Sequence, residues 1–252
     1  MTVYDVVLLP SPAVNQIAVS ASRQLSAQYE TVFTLESGNL EPHMSLYMAT
    51  LDKKGLRKAK QELSKIAEQT APLPLKATAY DQDPKVGMFE IGYETTPSLV
   101  RLQNDIVDKI APLRTSPWPK WNPVGHHLDE WVPKRMDGEA KSNMQRYGYD
   151  EIGGLFRPHI TLTRFISRGK KMEPEPLPPT QAFDDTFTKL ALYEMGENGT
   201  CTKPVATFTL GEQREPALKR GMAAVKEQLE TVRQKLFNKP GPAASTSLPQ
   251  FA

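Results

Sequence analysis

Two segments of this chain carry nearly the same pattern. Pro42-His43-Met44-Ser45-Leu46 and Pro158-His159-Ile160-Thr161-Leu162 each read proline, histidine, apolar, hydroxyl, leucine, and together they hold two of only four histidines in 252 residues. Histidine titrates near pH ~6.5 when unperturbed, so one imidazole of a pair can be neutral while the other is protonated. A neutral ring takes a proton from an attacking hydroxyl or water, and a protonated ring gives one to a leaving oxygen. Such assistance is worth roughly 10²–10⁴-fold. Hydroxyls fixed beside the rings donate to the non-bridging oxygens of a phosphate and hold the reacting atoms in line. The scheme calls for no metal and no cofactor. A single His-x-Ser would read as a strand that begins after a proline, but the repetition favours paired chemistry.

Each motif opens a run that reads as a β-strand, and side chains on a strand alternate between faces. His43, Ser45 and Tyr47 then share one face, and His159, Thr161 and Thr163 share the other motif's face. Residues two apart on a strand are separated by roughly 6.6 Å, too far for a histidine to bond its own hydroxyl, so both converge on a ligand across the face. The expected roles are catalysis for His43 and His159 and phosphate binding for Ser45 and Thr161. Tyr47 and Thr163 are secondary substrate contacts or ordinary packing beside the site. Met44, Leu46, Ile160 and Leu162 face a core. Arg157 shares the parity of the second motif from behind a proline, and is a candidate for phosphate contact or for a surface ion pair. Arg164 falls off the catalytic face by the same parity.

The two segments resemble the paired His-x-[Ser/Thr]-x motifs of the 2H phosphoesterase superfamily, which includes LigT-like 2′-5′ RNA ligases and cyclic nucleotide phosphodiesterases. Both motifs match without departure, as His43-Met44-Ser45-Leu46 and His159-Ile160-Thr161-Leu162. The resemblance covers roughly residues 1–211 by element order, with only the motifs specific. It implies an α+β, bilobal fold with two pseudo-symmetric lobes, each an antiparallel sheet with flanking helices, around a central cleft. It also implies metal-independent hydrolysis or transfer at 2′-5′ or 2′,3′-cyclic phosphodiesters of a nucleotide or RNA end.

The elements that must carry these strands are legible in the apolar spacing. Val3–Leu9 reads as a buried strand. Ser11-Pro12 offers an N-cap and a proline at the first helical position, ahead of Val14, Ile17, Ala18, Ala21 and Leu25 on one helical face. The first motif strand spans about 43–50, and a helix with Leu56, Ala59, Leu63 and Ile66 inward follows. Residues 75–80 and 86–93 read as a strand pair around an Asp-Gln-Asp-Pro turn. Thr96-Pro97 caps a third helix with Leu99, Leu102, Ile106 and Ile110 inward. The second motif strand spans about 159–166, and a hairpin at 187–195 and 204–210 turns near Asn198-Gly199.

Residues 112–158 differ in kind, holding all three tryptophans and the remaining histidines, His126 and His127. Long loops of distinct composition are often binding surfaces. Trp121 is a candidate to stack on a nucleobase, and Lys134 and Arg135 are candidates for phosphate. The alternative is that the tryptophans pin the insertion to the body. His126, His127 and Asp129 admit a third reading, a metal-dependent phosphohydrolase. Adjacent histidines rarely aim at one metal from regular structure, however, and no Glu-x-x-His or Cys-x-x-Cys supports them.

Beyond the insertion and hairpin, Leu218, Met222, Val225, Leu229, Val232 and Leu236 form a seam on an amphipathic helix expected over 212–238. That seam offers intramolecular docking, which leaves a monomer, or a homodimer contact. A Pro-, Ala- and Ser-rich tail, 239–252, is expected to be disordered. Charge is nearly balanced, 31 Lys and Arg against 29 Asp and Glu, which argues against broad wrapping of duplex nucleic acid. A single cysteine, Cys201, points to a reducing compartment and a cytoplasmic protein. No stretch reaches membrane-spanning length. The function classes that remain are the phosphodiesterase, a non-catalytic nucleotide- or RNA-end-binding module, and the metal-dependent alternative.

Overall fold

The computed structural model of the chain describes residues 2–122 and 126–212. Two four-stranded antiparallel sheets form its frame. The first orders β10 (Cys201–Thr209), β9 (Lys189–Met195), β1 (Thr2–Leu9) and β3 (Met44–Leu51). The second orders β2 (Thr31–Thr34), β7 (His159–Phe165), β6 (Met88–Tyr93) and β5 (Ala77–Asp83). A short pair, β4 (Leu73–Leu75) with β8 (Asp185–Phe187), completes the strands. Each motif lies on one sheet, and β3 and β7 approach each other across the two.

Three helices cover these sheets, and their starts follow from local chemistry. Helix α1 (Pro12–Gln28) is capped by Ser11 Oγ, which accepts from the Val14 N–H. Helix α2 (Lys53–Gln69) is capped by Asp52, and α3 (Pro97–Ile110) by Thr96. Prolines at the starts of α1 and α3 give up N–H groups that have no helical partner there. The inward faces are those the spacing implies: Val14, Ala18, Ala21 and Leu25 on α1, and Ala59, Leu63 and Ile66 on α2. On α3 they are Leu99, Leu102, Ile106 and Ile110. Although α1 directly follows β1 of the first sheet, it packs on β2 and β7 of the second, whereas α2 and α3 pack against the first.

The second sheet is filled by aromatic rings in contact. Phe165 meets Tyr29 and Phe89 edge-on, and Tyr80 stacks on Phe89 and meets Phe183. Each such pair contributes about 0.5–1.5 kcal/mol beyond the area it buries.

The structure departs from the expected strands in several places: β2 is not among those expected, the run expected at 187–195 divides into β8 and β9, and β10 starts at Cys201 and not at 204. The run expected at 75–80 breaks at Lys76, so that Leu73–Leu75 pairs with β8 while β5 begins at Ala77. Asp81, Gln82 and Asp83 belong to β5, and the reversal instead uses Gly87 at φ +79°, where an added Cβ would meet the Phe165 carbonyl. The insertion is also more regular than a loop. It forms α4 (Leu128–Arg135) and α5 (Gly138–Tyr147), which share a small core of Leu128, Val132 and Met144 packed by Trp118, Trp131 and Met136. The expected seam at 218–236, with its possible dimer contact, and the tail at 239–252 lie outside the described residues. Among the described residues no helix is long and apolar enough to cross a membrane.

Candidate active site

His43 and His159 are set up the same way. His43 Nδ1 lies 2.7 Å from the Glu41 carbonyl oxygen and His159 Nδ1 lies 2.6 Å from that of Arg157, in each case the residue two before. A carbonyl can only accept, so each Nδ1 carries the hydrogen. Each ring is thereby turned so that Nε2 is the atom left for chemistry. Both Nε2 atoms and both motif hydroxyls, Ser45 and Thr161, line one cleft of about 660 Å³ between the sheets.

The motif strands share a second feature. Leu46 is an extra residue between Ser45, paired with Val7, and Tyr47, paired with Val6. Leu162 is likewise extra between Thr161, paired with Glu90, and Thr163, paired with Phe89. A bulge of one residue shifts the strand's alternation. Up to the hydroxyl, parity runs as the sequence implies; beyond it the faces exchange.

This exchange corrects two expected contacts. Tyr47 is fully buried and donates its hydroxyl to the Tyr147 carbonyl. Thr163 is fully buried and donates to the Phe33 carbonyl at 2.6 Å. Neither lines the cleft, and Met48 takes the cleft-facing position beyond the first bulge. Arg164 moves the other way, onto the parity of Thr161. Its guanidinium holds the Val86 carbonyl and Asn198 Oδ1, both at 2.9 Å, bracing residues of the cleft wall. Asn198 has φ 58°, a left-handed conformation that asparagine tolerates better than most residues, in the β9–β10 turn.

Arg157 lines the cleft, held by Glu90 at 2.6 Å and Glu151 at 3.2 Å. Glu90 also places Oε2 3.4 Å from His159 Nε2. In the other lobe Asp5 Oδ2 lies 2.7 Å from Ser45 Oγ and 3.9 Å from His43 Nε2. Sequence reasoning missed both carboxylates. The available signal was a lone acid inside an otherwise apolar strand, Tyr4-Asp5-Val6 and Phe89-Glu90-Ile91.

The electrostatics of the two halves differ. Burial holds the His43 imidazole below its ordinary value, with the charge of His159 adding to this and the Glu41 and Gly199 carbonyls opposing it. Burial pushes Asp5 up to about 8, against the Ser45 hydrogen bond and with Glu151 adding to the rise. Burial also raises Asp150 and Glu151. Around the histidines the cleft carries Glu41, Asp81, Asp83, Glu90, Asp150 and Glu151, with Arg157 the one Lys or Arg side chain among the lining residues described.

The insertion reaches this cleft through Asn122 and through the segment carrying Tyr149, Asp150 and Glu151. Trp121 is about half exposed, meets the His127 ring edge-on, and lines a smaller apolar pocket. That pocket shares Met48, Asn122, Tyr149 and Asp150 with the main cleft. Trp118 and Trp131 pack the insertion instead. Lys134 and Arg135 are exposed and line neither pocket.

The residues of the metal-dependent alternative do not converge. His126 stacks on Trp131 with ring centroids 3.6 Å apart, His127 faces Trp121, and Asp129 accepts from the Trp118 indole N–H. Cys201 lies near Asp5 and His43. The fit of this trio to zinc is poor, because two ligands about 2.05 Å from a tetrahedral ion lie ~3.3 Å apart. The nearest Asp5–His43 approach is 3.9 Å, and that same aspartate oxygen is held by Ser45.

Comparison with solved structures places this geometry in a known architecture. The apo crystal structure of Escherichia coli LigT superposes with a TM-score of 0.50 at 12% identity, over 84% of this chain and 98% of that one. The chain has the LigT fold. A structure described as a phosphoesterase matches at 15% identity and TM-score 0.49, over 84% of this chain and 99% of that one. A Thermus thermophilus protein matches at 16% and 0.49, over 84% and 100%. No family model matches the sequence, and no curated protein does. At these identities the likeness to LigT concerns the fold, so activity has to be argued from the side chains.

Proposed function

We propose that this chain is a 2H-type phosphoesterase, a metal-independent phosphodiesterase acting on 2′,3′-cyclic or 2′-5′ phosphodiesters of a nucleotide or RNA end. One observation carries the reading. Two imidazoles, each fixed through Nδ1 on the carbonyl two residues before it, present Nε2 to one cleft beside two motif hydroxyls.

In the hydrolytic direction His43 is the base and His159 the acid. Burial favours the neutral form of His43, which takes the proton of the attacking water at Nε2. A protonated His159 has the Glu90 carboxylate 3.4 Å from its Nε2, so the charge that precedes donation to the leaving oxygen has a partner. Ser45 and Thr161 contact the non-bridging oxygens. Thr161 Oγ1 has no hydrogen-bond partner among the described residues and is ready to donate. By microscopic reversibility the two rings exchange roles in the bond-forming direction.

The test is a panel of 2′,3′-cyclic mononucleotides, 2′-5′ dinucleotides and 3′-tailed RNA, assayed in EDTA. At least one class should be turned over, with losses of ~10²–10⁴-fold in each of His43→Ala and His159→Ala. Turnover undiminished in the double variant would overturn the proposal, and tight binding without turnover would select a non-catalytic nucleotide-binding module.

A further inference from the structure

The two lobes match in their histidines and differ in their hydroxyls. Thr161 Oγ1 has no partner among the described residues, whereas Ser45 Oγ lies 2.7 Å from Asp5 Oδ2. If Asp5 is ionised it can only accept, which commits the serine's single hydrogen to the carboxylate and turns it away from the cleft. A serine so arranged offers a phosphate oxygen only its lone pairs. The proposed chemistry needs a donor there.

The surroundings of Asp5 decide which partner donates. Asp5 is fully buried, and its other oxygen, Oδ1, is buried without a hydrogen-bond partner among the described residues. Beside it on the cleft side of the first sheet lies an apolar patch of Val7, Ala191, Tyr193 and Cys201. Among the described residues the groups facing it are Ser45 from β3 and His43 just before that strand, Tyr193 across the pairing with β9, Cys201 at the start of β10, and Tyr149 and Glu151 ahead of β7. No lysine or arginine is among them, and Glu151 adds a like charge. An unpaired carboxylate in such a place is costly, and a neutral acid costs far less.

We propose that Asp5 is a positioning residue that, as the neutral acid, donates from Oδ2 to Ser45 Oγ and turns the serine's own hydrogen toward the substrate phosphate. This rests on the phosphodiesterase reading above and deepens it. The neutral acid also keeps a full negative charge from lying beneath the phosphate and 3.9 Å from the basic nitrogen of His43. That burial pushes Asp5 up to about 8 agrees with this state at neutral pH.

Asp5→Asn tests the idea, because an amide N–H donates to Ser45 at every pH. The substrate should be a phosphodiester with a p-nitrophenolate leaving group, which needs little help from an acid, so that the result does not depend on proton donation to the leaving oxygen. Wild-type kcat/KM should then fall above about pH 8. Asp5→Asn should keep activity at pH 7 within about threefold and stay level to about pH 9.5. Asp5→Ala should lose about as much as Ser45→Ala, ~10²-fold, and Asp5→Asn in the Ser45→Ala background should change nothing further.

An alkaline fall unchanged in Asp5→Asn overturns the proposal, as does a folded Asp5→Asn no more active than Asp5→Ala. A wild type that turns over nothing overturns the phosphodiesterase reading instead. Binding of dimethyl phosphate then carries the test, weakening above about pH 8 in wild type and not in Asp5→Asn if Asp5 positions the serine. Equal pH dependence of binding in the two proteins would refute that.

Discussion

Glu90 Oε2 lies 3.4 Å from His159 Nε2 while its other oxygen is held at 2.6 Å by Arg157. The carboxylate is thus fixed by one cation and aimed at the ring that must carry a proton. Glu90→Gln removes the charge and keeps the size. We expect kcat to fall ~10-fold on substrates with poor leaving groups and to change little on p-nitrophenolate esters, because only the former need the acid. An equal fall on both would show that Glu90 does not act through His159.

Charge in the cleft predicts a preference among substrates. Glu41, Asp81, Asp83, Asp150 and Glu151 surround a site whose one Lys or Arg among the described lining residues is Arg157, already paired. A phosphodiester with a single negative charge suits this field better than one bearing further phosphates. A 2′,3′-cyclic mononucleotide should exceed its 5′-phosphorylated counterpart in kcat/KM by ~10-fold at low salt, with the gap narrowing as salt is added. A preference for the more highly charged substrate would contradict it.

Stability should carry the mark of Asp5. Its folded-state value of about 8 stands above the ordinary aspartate value of 3.8, so between those limits the folded chain binds the proton more tightly than the unfolded one. Stability from this group is full at low pH and is lost as pH rises through about 8. Wild-type Tm should therefore fall more steeply than that of Asp5→Asn as pH rises from about 4 to about 8. Parallel curves would show that Asp5 is ionised throughout.

Trp121 is half exposed at the edge of a pocket continuous with the cleft, and the small core of the insertion does not include it. Trp121→Ala should leave Tm unchanged. It should raise KM for nucleotide substrates by ~10-fold, the worth of one base stacked on an aromatic ring, and leave p-nitrophenyl esters without a base unaffected. Equal effects on both substrates would count against stacking.

The His–hydroxyl pairs and the Ser11 and Thr96 helix caps were legible in the sequence because each depends on neighbouring residues alone. Tyr47 and Thr163 were misplaced for a different reason. Their direction depends on whether the partner strand skips a residue opposite Leu46 or Leu162, and neither leucine announces a bulge. Asp5 and Glu90 looked like blemishes in apolar strands, and their meaning appeared only once the strands lay beside the motifs. In the insertion, Pro133 and the glycines at 138 and 148 disguised two helices. Gly148 ends α5 at φ +73°, where an added Cβ would strike the Pro117 carbonyl, so this glycine is a stop signal built into the packing.

The crossing of α1 onto the second sheet has a consequence for how the protein comes into being. Strand β1 needs β9, and α1 needs β7, so neither lobe can close its own core from a contiguous stretch of chain. Contacts of such sequence separation form late and slowly. During synthesis the first motif must wait, with its sheet incomplete, until nearly all the residues through β10 have emerged. Catalytic competence and completion of the fold should therefore arrive together, and a chain cut between the two motifs should yield two inert pieces that regain activity only when mixed.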